Sequence, residues 1–135
     1  MDCIFCEIVK GESPVNLIYQ DELIMSFLTI EPLNEGHVLI IPKNHYLDAD
    51  EIPTEILLSI MALSQKIIKV IKEKYSPDGY SIMQNGGEFN DIGHYHMHVF
   101  PRYKGDGFGW TFGDANHDFS QSLATELKDR LNKEI

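Results

Sequence analysis

The stretch "PTEILLSIMALSQKIIKVIKEKY", residues 53–75, constrains the fold more than any other. Ile56, Ile60, Leu63, Ile67 and Ile71 recur at helical spacing, and Leu57, Ile68 and Val70 widen the stripe. Such a one-sided helix needs an apolar surface to cover it. Pro53 suits a first helical turn, and "SPDG" at residues 76–79 supplies the turn that ends the helix. The neighbouring segments look like strands. "VNLIYQDELIMSFLTI" reads as two strands around a turn at Asp21 and Glu22. "GHVLIIPK" reads as a buried strand, rich in branched residues and ended by Pro42. "YSIMQN" and "HYHMHVFPR" read as two more, joined by "GGEFNDIG". One long helix set before the last two of a series of strands predicts an α+β domain with an antiparallel sheet.

The remaining segments are short or terminal. "CIFCEIV" reads as a short helix that stops at Gly11, and "YKGDGFGW" as a glycine-rich loop. The tail predicts a helix over about residues 118–133, with Phe119, Leu123, Leu127 and Leu131 four apart. No repeat, linker or low-complexity tract divides the chain, so residues 1–135 are expected to form one domain. With 11 basic and 21 acidic residues the net charge is −10. That lacks the basic footprint of a nucleic-acid binder. No stretch approaches the roughly 20 apolar residues of a membrane span, so no membrane partner is expected. The opening segment has neither a basic leader nor a long apolar run, which predicts a cytoplasmic protein with reduced cysteines.

Half of the chain's six histidines, His94, His96 and His98, fall at alternate positions in "GHYHMHVFPR". On a helix the middle ring would point away from the other two. On a strand all three share one face, with Tyr95, Met97 and Val99 on the other. The period-two apolar interleaving and Pro101 at the end favour the strand, with alternate residues about 6–7 Å apart. Such a row can bind zinc, attack an electrophile, or pair a nucleophile with a proton-handling neighbour. A solvated strand face with coincidental histidines is the bland reading.

The segment "HYHMHVFPR" resembles the signature of the histidine triad family: His, apolar, His, apolar, His, two apolar residues. "CIFCEIVKGESP", "FLTIEPLNEGHVLIIPKNH" and "PRYKGDGFGW" resemble its flanking segments, so the likeness runs from about Cys3 to Trp110. The resemblance implies a five-stranded antiparallel sheet, usually continued into a second subunit as a homodimer. It implies hydrolysis or transfer at the α-phosphorus of a nucleotide. The middle histidine, His96, would be the nucleophile and form a nucleotidyl-histidine intermediate; His98 would contact the phosphate and assist the leaving group. Backbone amides near residues 90–92 would hold the non-bridging oxygens. Arg102 and Lys104 are nearby cations, read equally well as solvated surface charge.

Where the family usually carries glutamine, four residues before the first histidine, this chain has Asn90, with the same amide on a shorter stem. Thr29 stands where many members hold the ribose hydroxyls with an aspartate or asparagine. Asn85 falls at a nucleotide-contacting position. Phe5, Ile8, Leu28 and Ile30 would form the base pocket, or simply pack in the core.

Cys3 and Cys6 form a CxxC, too few ligands for zinc by themselves. A redox dithiol and ordinary thiols are the competing readings. The related galactose-1-phosphate uridylyltransferases bind zinc with a CxxC, a separate histidine and the first histidine of their active-site motif. That likeness implies a structural zinc at Cys3, Cys6, His45 and His94, which would fix the register of the histidine strand. The substrates implied are purine nucleoside phosphoramidates or dinucleoside polyphosphates, with a product such as AMP. The alternatives are a zinc hydrolase with metal on the triad histidines, and a nucleotide-binding or scaffold protein with little activity.

Overall fold

In the computed structural model, which describes residues 2–135, the strands form one five-stranded antiparallel sheet in the order β1-β2-β3-β5-β4. The elements are α1 (Ile4–Val9), β1 (Leu17–Gln20), β2 (Ile24–Leu28), β3 (Val38–Pro42), α2 (Thr54–Tyr75), β4 (Gly79–Met83), β5 (Met97–Arg102) and α3 (Gln121–Glu134). Among the described residues no helix is long and apolar enough to cross a membrane.

The sheet separates two cores, because strand side chains alternate between its faces. Val38 and Ile40 join Ile24, Tyr95, Met97 and Val99 beneath Ile56, Ile60, Ile67 and Ile71 of α2. Leu39 and Ile41 join Met25 and Phe27 on the other face, covered by Cys3, Phe5 and Ile8. All of β3 is buried, as its unbroken apolar run predicts. The β1–β2 turn forms where expected. Asp21 Oδ1 accepts from the amides of Leu23 (2.8 Å) and Ile24 (3.0 Å), satisfying donors the turn would strand.

The α2 stripe departs from expectation in one respect. Ser64 is buried in line with Ile60 and Ile67, whereas Val70 is 60% exposed. Val70 stands about 80° round the helix from the centre of the buried stripe. Ser64 is accommodated because its hydroxyl donates to Met61 O at 2.6 Å.

The tail differs more. Helix α3 starts at Gln121, where Ser120 Oγ accepts from Leu123 N at 3.2 Å, so Phe119 lies outside it. None of its residues is buried in the single chain. Leu127 and Leu131 remain exposed, as do Trp110, Phe112 and Phe119 before the helix.

Candidate active site and metal centre

The histidine row is only partly a paired strand. The ladder of β5 begins at Met97, so His98 pairs opposite Leu39 and Met83, while His94 and His96 precede the ladder. Alternation survives because other contacts hold the backbone extended. Tyr95 N donates to Tyr46 O at 2.7 Å. Tyr95, Met97 and Val99 therefore enter the α2 core, and the three histidines lie on the α1 face. Phe5 of α1 packs edge-on against His94 and His96, with ring centres 5.7 and 5.3 Å away. His94 and His96 are buried, which is not the solvated face of the bland reading.

The hydrogen bonds fix which nitrogen of each ring carries a proton, because a carbonyl can only accept. His96 Nδ1–H donates to His94 O at 2.8 Å, so in the neutral ring the lone pair is on Nε2. His94 Nε2–H donates to Pro42 O at 2.9 Å, leaving its Nδ1 lone pair toward the cysteines. His98 is set by a residue that the sequence reading passed over. His37 Nδ1 accepts from Leu33 N at 3.0 Å, so the neutral His37 ring carries its proton on Nε2. That Nε2–H donates to His98 Nδ1 at 2.9 Å, which leaves the His98 proton on Nε2. Burial, reinforced by the neighbouring imidazole, lowers both rings to about 4, and both stay neutral at physiological pH. The parity of β3 carried the missed signal: His37 shares the period of Leu39 and Ile41, which face the triad side.

A cavity of about 540 Å³ opens beside His96 and His98, bounded by α1, the end of β2 and the loop before His94. Phe5, Ile8, Leu28, Thr29 and Ile30 all line it. Phe5 and Ile8 are at once lining and core, whereas Ile30 is 94% exposed at its mouth. Asn85 and Asn90 stand outside the lining. Asn90 is buried with both ends of its amide engaged: Nδ2 donates to Leu47 O (3.0 Å) and Oδ1 accepts from Gly93 N (3.0 Å). It clamps the loop that leads into His94. The lining also includes Asp91, again not singled out from sequence, with Oδ1 3.7 Å from His96 Nε2. Arg102 is occupied elsewhere: Nε and Nη2 donate to the two oxygens of Asp106 at 2.7 and 3.0 Å. Lys104 lies exposed, its amide bonded to Asp78.

Cys3, Cys6, His45 and His94 bring one ligand atom each within 4.8 Å of one another. His94 Nδ1 lies 3.4 Å from Cys3 Sγ and 3.6 Å from Cys6 Sγ, and His45 Nδ1 lies 3.3 Å from Cys6 Sγ. Ligands of a tetrahedral zinc stand about 3.6 Å apart, from Zn–S near 2.3 Å and Zn–N near 2.1 Å. The donor set and its spacing fit zinc, and the Pro42 carbonyl orients the His94 ring from behind.

Residues 10–105 match the model of the HIT domain. The chain is 37% identical over 140 residues to the adenosine 5'-monophosphoramidase HNT1 of Candida albicans, spanning 97% of this chain and 92% of that one. The crystal structure of a HIT family protein from Bacillus anthracis superposes with a TM-score of 0.89 at 30% identity, covering 99% of this chain and 97% of that one. A Zn-bound histidine triad family protein from Mycobacterium smegmatis superposes with a TM-score of 0.74 at 32% identity, covering 100% and 99%.

Proposed function

The chain belongs to the HIT domain family, and on that premise we propose that it hydrolyses or transfers at the α-phosphorus of purine nucleoside phosphoramidates or dinucleoside polyphosphates. The observation that carries this reading is the bond from His96 Nδ1–H to His94 O, which leaves an unprotonated Nε2 at the cavity. Similarity to an adenosine 5'-monophosphoramidase supports the reaction class.

In the proposed reaction His96 Nε2 attacks phosphorus. The bond to the leaving group breaks, and that group departs with the electron pair and a proton from solvent. Nδ1 keeps its proton, so the nucleotidyl-imidazole is cationic; the His94 carbonyl and the Asp91 carboxylate stabilise it. Water then attacks phosphorus, the P–Nε2 bond returns its pair to nitrogen, and the surplus proton passes to solvent. His98 Nε2–H donates to a non-bridging oxygen, and the backbone near residues 90–92 supports the phosphate with Asn90 as its clamp. The base lies against Phe5, Ile8, Leu28 and Ile30, with the Thr29 hydroxyl toward the ribose.

We assign a structural zinc to Cys3, Cys6, His45 and His94; bound there, it would cross-link α1 to the histidine segment. A metal on all three triad rings has less support, since His94 directs both nitrogens away from His96 and His98. A thiol-rich site of this kind suits a reducing compartment such as the cytoplasm. The exposed Trp110, Phe112 and Phe119, at 89, 86 and 96%, and the unburied α3 support a homodimer, which sedimentation equilibrium would test.

Incubation with adenosine 5'-phosphoramidate should release AMP. His96→Ala should lower turnover by at least about 10³-fold and abolish the trapped adenylyl-histidine. Equal slow release by both proteins would reject His96 as nucleophile. Tight AMP binding without turnover would favour the binding-module reading.

A further inference from the structure

Asp91 sits where the reaction is most sensitive to charge. Its carboxylate lies 3.7 Å from His96 Nε2, the atom that approaches phosphorus. The side chain is 86% exposed, so this part of the lining stands at the open mouth of the cavity. The lining also has an apolar part, formed by Ile4, Phe5 and Ile8 of α1. A substrate held with phosphorus at Nε2 therefore meets two unlike ends. The apolar wall accepts the base, and the leaving group points out past Asp91. The backbone beneath Asp91 is not free to withdraw, because buried Asn90 is pinned to Leu47 O and Gly93 N.

Among the described residues the lining contains Glu31 and Asp91 and neither lysine nor arginine. Arg102, a nearby cation in the sequence, is held by both oxygens of Asp106. The whole chain adds to the same sign, with a net charge of −10. A leaving group made of further phosphates would enter a negative mouth with nothing to receive it. An amine bearing a second, positively charged group would find a carboxylate within reach.

We propose that Asp91 selects the leaving group by charge, so that the site takes nucleoside phosphoramidates of cationic amines and discriminates against anionic leaving groups such as nucleoside polyphosphates. This rests on the reading of His96 as the nucleophile. Asp91 acts here as a specificity residue through its contact with the departing group. An exposed carboxylate–ammonium contact supports a preference of about two- to fivefold over a neutral leaving group, with a loss of similar size for an anionic one.

The test uses the whole 135-residue chain and three adenosine 5'-phosphoramidates, made with ethylenediamine, ethanolamine and glycine. Their leaving groups are similar in length and carry positive, zero and negative charge. The readout is the ratio of kcat/KM between the cationic and the anionic substrate, compared across variants so that intrinsic amine basicity cancels. In Asp91→Asn the ratio should fall about tenfold, and in Asp91→Lys it should fall further. In the wild type it should shrink toward the Asp91→Asn value as salt rises to about 1 M, because exposed charges are screened. A ratio that is the same in wild type and Asp91→Asn, or insensitive to salt in the wild type, overturns the proposal while leaving His96 chemistry in place. Failure of all three substrates to turn over in a His96-dependent way overturns the parent reading instead.

Discussion

His37 Nε2 and His98 Nδ1 lie 2.9 Å apart, joining the residue before β3 to the third histidine of the row. The contact leaves the His98 proton on Nε2, and Leu33 N sets His37 in turn. His37→Ala removes the partner and frees the His98 tautomer. A lost hydrogen bond of this kind corresponds to roughly a ten- to hundredfold fall in kcat. KM should change little, because His37 does not line the cavity. Steady-state kinetics on adenosine 5'-phosphoramidate check it; a rise in KM with unchanged kcat would contradict the assignment.

The same pair makes stability depend on pH. Both rings sit at about 4 in the folded protein against 6.5 for an unperturbed imidazole, because burial disfavours their charged forms. Between these values the unfolded chain binds protons that the folded one refuses. Their contribution is therefore fully present above about pH 6.5 and is lost as pH falls through 4. Thermal unfolding should show a falling Tm from pH 7 to pH 5, with a shallower slope in His37→Gln.

Zinc should be found at close to one per chain in chelator-washed wild type, by elemental analysis. Cys3→Ser and Cys6→Ser should each drop it well below one and lower Tm by several degrees. A wild type with little zinc would reject the metal assignment.

Gly36 immediately precedes His37 at φ +90°, and a Cβ there would stand 2.6 Å from Tyr75 Cε2. Gly36→Ala must both strain the backbone and displace the tyrosine that ends α2. A loss of about 1–3 kcal/mol is expected in urea unfolding, from strain and overpacking together.

Local patterns were readable from the chain, and long-range partners were not. The two faces of the histidine segment follow from period-two alternation, which needs only neighbouring residues. Where its ladder starts depends on Leu39 and Met83, distant in sequence, so the paired strand begins three residues later than the pattern alone indicates. Asn90 looked available to a ligand because its amide resembles the family's glutamine. Its actual acceptor, Leu47 O, is 43 residues away. The apolar spacing of the tail announced a helix without saying what would cover it, and in one chain nothing buries it. The four proposed zinc ligands were reached through the resemblance, since two cysteines at a three-residue interval do not name their partners.

Helix α1 has only six residues, too few to be ordered by its own backbone bonds. Yet it supplies one wall of the cavity through Ile4, Phe5 and Ile8; Cys3 is its N-cap and Cys6 lies in its first turn. Any ion that fastens those thiols to His45 and His94 pre-arranges the wall, and any occupant of the cavity that presses on Phe5 steadies the thiols. If the proposed zinc and nucleotide both bind, they are coupled through one short helix, and reciprocity then requires each to change the other's affinity by the same factor. The proposed metal site and the proposed nucleotide site would then act as a single cooperative unit.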